Sequence, residues 1–146
     1  LAVYYYGGLY LDLDMDMYQT FDHTQFPQNK CVFPIEFEKN SDYILQKQNF
    51  NKLIGNYAFY APKKHPFLKL IIDNVVNKRL FNSLPRSLNK YVYYSTGPVL
   101  VTQSYIDFSS DSVNKGLIEL IQSYPFRKER FGKYAKHRLM GSWKSK

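Results

Sequence analysis

Cysteine is almost missing from this 146-residue chain: Cys31 stands alone. That excludes an internal disulfide and a zinc site built from several cysteines, and leaves Cys31 as a small buried hydrophobe. No apolar run reaches the length needed to cross a bilayer. No internal repeat, low-complexity stretch or linker-like shift of composition divides the chain, so residues 1–146 read as a single domain. Tryptophan occurs once, as Trp143. Positive charge is missing from the first 29 residues, which carry Asp12, Asp14, Asp16 and Asp22 but neither lysine nor arginine. No residue stands out as a catalytic base.

What is present argues for a folded domain. The chain is 45% hydrophobic and 18% aromatic, with 14 tyrosines and 11 phenylalanines, which excludes disorder and allows a core of ordinary size. The net charge is +8, and it is unevenly placed. Residues 127–146 hold eight lysines and arginines against Glu129 alone. Such polarity suits a phosphate-bearing ligand, a nucleic acid or an anionic membrane surface; a solvated basic tail accounts for most of these side chains.

"LAVYYYGG" reads as the end of a helix closed by glycine. "LYLDLDM" follows as a strand, residues 19–30 as a loop, and "CVFPIEF" as a short strand that Pro34 demotes to an edge or a bulge. "GNYAFYA" is a further strand. The spacing of Phe67, Leu68, Ile71, Ile72, Val75, Val76 and Leu80 predicts a core-facing helix over 65–81, with Pro66 in its first turn and His65 as the entry residue. Gly97 and Pro98 mark a second helix start, "GLIELIQSYPF" is read as a strand, and the basic C-terminal part as mostly loop with a short strand near Tyr134. Strands alternating with helices predict an α/β layered fold.

The acidic stretch "GGLYLDLDMDMY" is the unusual one. Read as a strand, it places Leu9, Leu11, Leu13, Met15 and Met17 on a buried face, and Tyr10, Asp12, Asp14, Asp16 and Tyr18 on the other. Asp12 and Asp14 then lie roughly 7 Å apart, from about 3.3 Å of rise per residue. Neighbouring carboxylates repel, and aspartate is depleted in strands. A hard divalent cation such as Mg²⁺ or Mn²⁺ removes that cost and can bridge to a diphosphate. The position, after Gly-Gly at the end of a hydrophobic strand, is where α/β folds place ligands.

With these residues the chain resembles the glycosyltransferase sugar-binding region that contains the DXD motif, a family that includes fungal initiating mannosyltransferases and capsular-polysaccharide transferases. "YYYGGLYLDLDM" matches its helix, Gly-Gly and Tyr-x-Asp-x-Asp strand. "GNYAFYAPKKHPFL", "STGPVLVTQSY" and "HRLMGSW" resemble three later segments in the same order. The resemblance implies a GT-A fold, a Rossmann-like nucleotide-diphospho-sugar transferase architecture. It also implies a bound Mn²⁺ or Mg²⁺, a nucleotide diphosphate sugar as donor, and a glycan, lipid or protein acceptor. By position, Asp12 would meet the ribose or the metal shell, and Asp14 would ligate the metal. Asp16 falls beyond the motif, as an outer-shell or plain surface residue. His137 would be a metal ligand or diphosphate contact, and Ser142 and Trp143 would close over the diphosphate. Asn56 would meet donor-sugar hydroxyls; Thr96 and Gly97 would approach donor or acceptor at a helix start.

The family carries a nucleotide-binding half before Gly-Gly, and its absence here implies that residues 1–146 are a catalytic-domain fragment incomplete at the N-terminus, a degenerate copy or an incompletely recorded gene, inactive on their own even where the parent protein is an enzyme. The expected activity is transfer of a mannose-, glucose- or galactose-like hexose to an acceptor hydroxyl with retention. The implied setting is Golgi or other membranes in a eukaryote and the cytoplasm in a bacterium or virus. Alternatives are an Asp-x-Asp phosphatase or phosphotransferase, a sugar-binding remnant without turnover, and a non-catalytic basic module on residues 127–146. That module would bind nucleic acid or an anionic membrane surface and ranks third, because it leaves the acidic stretch unaccounted for; peripheral membrane contact is expected over nucleic acid.

Overall fold

The computed structural model describes residues 1–36, 48–77, 87–122, 130–138 and 140. Helix α1 (Ala2–Tyr6) stops at Gly7, whose N–H donates to the Val3 carbonyl (2.8 Å). Gly7 has φ 76°, and a Cβ there would lie 2.9 Å from the Lys63 backbone nitrogen. Only glycine meets both demands. Strand β1 (Gly8–Leu11) leads into an acidic turn, followed by β2 (Met15–Met17). Then come β3 (Cys31–Pro34), β4 (Ala58–Ala61), α2 (Pro66–Asn77), α3 (Leu88–Ser95), α4 (Pro98–Ser110), β5 (Ile118–Ile121), β6 (Arg130–Phe131) and β7 (Ala135–His137).

A four-stranded sheet has the order β1-β4-β3-β5. β4 is antiparallel to β1 and β3, while β3 and β5 run parallel. A second, antiparallel sheet has the order β2-β7-β6. The expected α/β class is therefore present, with a mixed sheet and helices.

Alternation along the central strands makes the layers. Cys31, Phe33 and Ala61 pack with Phe67 and Leu68 of α2 and Val101 and Phe108 of α4. Val32, Ala58 and Tyr60 point the other way, onto Phe131 and Ala135 of the small sheet and onto Phe26. β3 is covered on both faces, so all four of its residues are buried. That is why it reads as a continuous apolar run rather than an alternation. Phe33 stacks on Phe59 (centroids 5.0 Å) and meets Phe67 edge-on (5.4 Å).

Several expectations need correction. Pro34 lies on an interior strand, opposite Ile121 of β5, not on an edge. It is tolerated because β3 pairs with β4 only at Val32–Tyr60 and the next bridge on that side is the isolated Ile35–Ile54, outside β4, so no ladder bond is asked of its nitrogen. Val76 is 71% exposed; the buried α2 position beside it is Asn74, whose amide donates to Ser104 Oγ on α4 (3.0 Å). Residues 78–81 of the expected helix lie outside the described residues. α3 was not foreseen: its Tyr-Val-Tyr-Tyr run has weak helix propensity. It abuts α4 at Gly97, where a Cβ would stand 2.8 Å from both Tyr93 Cα and the Val92 carbonyl oxygen.

His65 caps α2. Its Nδ1 accepts the Phe67 N–H (3.2 Å), and burial holds its pKa below the ordinary value of 6.5. Protonation would replace the acceptor with a second donor at the helix start, forfeiting a cap worth about 1 kcal/mol. As pH falls, the unfolded chain protonates this ring near 6.5 and the folded chain only lower. The stabilisation is therefore complete above about pH 6.5 and is lost as pH falls through the window down to the folded-state value. His65→Asn, which caps without titrating, is expected to flatten the acid-side decline of the thermal midpoint between pH 7 and 5. An unchanged slope would contradict this role.

Candidate metal centre

The acidic stretch is not one strand. The register with β4 ends at Leu11–Ala58, and the next N–H, that of Asp12, donates to the Tyr57 carbonyl just before β4 (2.8 Å). The chain then turns, with the Met15 N–H reaching back to the Asp12 carbonyl (3.2 Å), and enters the second sheet. Leu13 at the tip is fully exposed, and Met17 is 44% exposed, so the expected buried face ends at Leu11 and Met15. The turn replaces an extended pair of carboxylates with a converging one. One ligand atom from each of Asp12, Asp14 and His137 lies within 4.8 Å of the others. At that distance two carboxylates repel by roughly 1 kcal/mol in water and about 3.5 kcal/mol at an effective dielectric constant of 20.

His137 comes from the last position of β7, opposite Met15. Its Nε2 lies 3.0 Å from Asp14 Oδ1 and 3.9 Å from Asp12 Oδ2. The other oxygen of each carboxylate is held by a protein donor. Tyr10 hydroxyl donates to Asp12 Oδ1 (2.6 Å), and the Met140 N–H donates to Asp14 Oδ2 (3.0 Å). One oxygen of each is thus anchored while its twin faces the imidazole. Burial, followed by the hydrogen bond to Asp12 and the charges of Asp12 and Asp14, pushes the Tyr10 hydroxyl up to about 12, so it remains a donor.

Two oxygens and one nitrogen, converging and without sulfur, fit a hard divalent cation. The imidazole nitrogen tilts the preference from Mg²⁺ towards Mn²⁺. Three protein donors would leave coordination positions for a phosphate or water.

Tyr57 supports the cluster from beneath. Its ring stacks on His137 (4.9 Å, 7° between planes), its hydroxyl donates to the Arg130 carbonyl (3.1 Å), and its own carbonyl holds the Asp12 N–H. Gly55 leaves room for that ring, since a Cβ there would meet Tyr57 Cε1 at 2.5 Å.

The remaining expected residues divide. Asn56, next to Tyr57, donates its amide to the Thr96 carbonyl (3.1 Å). Thr96 is exposed, but Gly97 is buried, with its N–H on the Val92 carbonyl (2.8 Å). The structure thus gives Gly97 a part in helix packing, and no contact brings it to the acidic turn. Asp16 turns away from Asp12 and Asp14 to meet Arg138 (2.7 Å), whose guanidinium holds its carboxyl below the usual carboxylate range. Ser142 and Trp143 lie outside the described residues. Sequence reasoning missed Tyr57 and Arg138; it placed Tyr10 on the face of Asp12 and Asp14 but gave it no part in holding Asp12. The adjacency of Arg138 to His137 was the one signal that could have found it.

No protein-family model, no curated protein and no solved structure matches the chain. Among the described residues, no helix is long and apolar enough to cross a membrane.

Proposed function

We propose that this chain is the donor- and metal-binding portion of a glycosyltransferase of GT-A type, transferring a hexose from a nucleotide diphosphate sugar to an acceptor hydroxyl with retention. The observation that carries the reading is the convergence of Asp12, Asp14 and His137, with the outer carboxylate oxygens held by Tyr10 and Met140. A bound Mn²⁺ or Mg²⁺ would supply positive charge against the diphosphate as it leaves.

In this reading Asp14 and His137 hold the cation directly, and Asp12 shares its shell or meets the ribose. Tyr10 orients Asp12. Asn56 offers its amide at the rim to donor-sugar hydroxyls, beside the exposed Thr96. The described residues contribute a charged, preorganised floor, which suits a reaction driven by leaving-group stabilisation. The Leu13 side chain projects from the turn between the two aspartates into solvent.

Incubation with UDP- and GDP-hexoses tests the reading. Mn²⁺-dependent binding of at least one donor, abolished by a chelator, is expected whether or not free sugar is released. Metal-independent release, or metal-dependent hydrolysis of aryl phosphates in place of nucleotide sugars, would overturn it in favour of a phosphatase.

A further inference from the structure

Asp16 is the aspartate that the proposed site leaves over. It lies on the outer face of the small sheet, opposite Lys136, and receives the fork of Arg138. Arg138 Nε sits 2.8 Å from both Asp16 oxygens, and Nη2 lies 2.7 Å from Oδ1. Arg138 directly follows His137. Its backbone N–H donates to the Asp14 carbonyl (2.9 Å), and two residues on the Met140 N–H reaches Asp14 Oδ2 (3.0 Å). The β2–β7 ladder ends at the pair Met15–His137. Past that pair, these contacts tie the chain carrying His137 to the chain carrying the aspartates.

We propose that Asp16 and Arg138 form a positioning pair that clamps the end of β7 against the acidic turn and so holds His137 Nε2 over Asp12 and Asp14. The proposal rests on reading that cluster as a cation site. Both side chains are well exposed, at 37% and 59%, and an exposed ion pair adds little to global stability. Its effect therefore falls on the geometry of the cluster rather than on the melting temperature. Arginine is required because its rigid fork engages both carboxylate oxygens, whereas lysine is a point charge.

Charge alone makes the opposite prediction for one variant. Arg138→Gln removes a cation beside the site, so simple electrostatics predicts tighter Mn²⁺ binding. A clamp predicts weaker binding. Mn²⁺ titration of the whole chain at 0.15 M salt should show Asp16→Asn and Arg138→Gln each weakened about fivefold, below the 10–100-fold cost of losing a direct partner of a metal ligand, because the pair acts through the backbone. Arg138→Lys should fall between Arg138→Gln and the parent, and the double variant should lose no more than either single. Thermal midpoints without metal should stay together. Binding by Arg138→Gln as tight as the parent or tighter, or losses that multiply in the double variant, would overturn the clamp. Asp14→Asn serves as control. If it also binds Mn²⁺ like the parent, the cation site itself is wrong; if it alone loses binding, only the clamp fails.

Discussion

Asp14→Asn is expected to weaken Mn²⁺ binding by at least about 100-fold, because loss of the direct ligand we propose should exceed the 10–100-fold cost of losing an outer partner. The substitution is nearly isosteric. Its carbonyl oxygen still accepts the Met140 N–H, but its amide hydrogens then face His137 Nε2, where Asp14 Oδ1 now lies 3.0 Å away. The fold has no reason to fail, since the change also removes one member of a repelling pair. Two effects of opposite sign follow. Without metal, at pH 8, the variant should be as stable as the parent or more so. With Mn²⁺ at 100 times the parent Kd, the parent gains about 2.7 kcal/mol and the variant about 0.4 kcal/mol. Calorimetry with and without Mn²⁺ checks both. A variant destabilised without metal, and stabilised by Mn²⁺ as much as the parent, would make Asp14 a structural residue.

Tyr57 should give the largest loss of stability. It is 4% exposed and packs in the cluster with Phe26, Val32, Tyr60 and Phe131. Tyr57→Ala leaves a cavity beneath His137 and strands the Arg130 carbonyl that its hydroxyl now satisfies. Truncation of a buried aromatic costs about 3–5 kcal/mol, a third or more of the stability of many domains. Tyr57→Phe keeps the stack and loses one hydrogen bond, at about 1 kcal/mol. Urea titration separates the two. The same pair reads the site: Tyr57→Phe should hold Mn²⁺ within about twofold of the parent, and Tyr57→Ala should lose about tenfold as the imidazole loses its support. Equal losses of affinity in both variants would assign the effect to the hydroxyl rather than the ring.

The elements that sequence located well are those with a local physical signature. Gly7 and the Gly97-Pro98 pair punctuate helices, and the stripe from Phe67 to Ile72 has helical period. What escaped depends on partners far along the chain. The alternation from Leu9 to Met17 has the period of a strand, and nothing local in Asp12-Leu13-Asp14 forbids one. The turn exists because β1 pairs with β4 while β2 pairs with β7, two different sheets. His137 was read on resemblance as a ligand; β7 is the short strand expected near Tyr134, but its pairing with β2 was not foreseen. Arg138 meets Asp16 across 122 residues of sequence. The missed helix α3 is held by its close approach to α4 at Gly97, a tertiary contact that outweighs its aromatic, β-branched composition.

The central claim is that one cation is shared by two carboxylates and the His137 ring. Pulsed electron paramagnetic resonance of the Mn²⁺-loaded chain tests it most directly, because a coordinated imidazole modulates the electron spin echo through its ¹⁴N nucleus. The account predicts ¹⁴N modulation in the parent chain and its loss in His137→Gln. Mn²⁺ bound at this affinity with no nitrogen coupling, or coupling that survives His137→Gln, would contradict it.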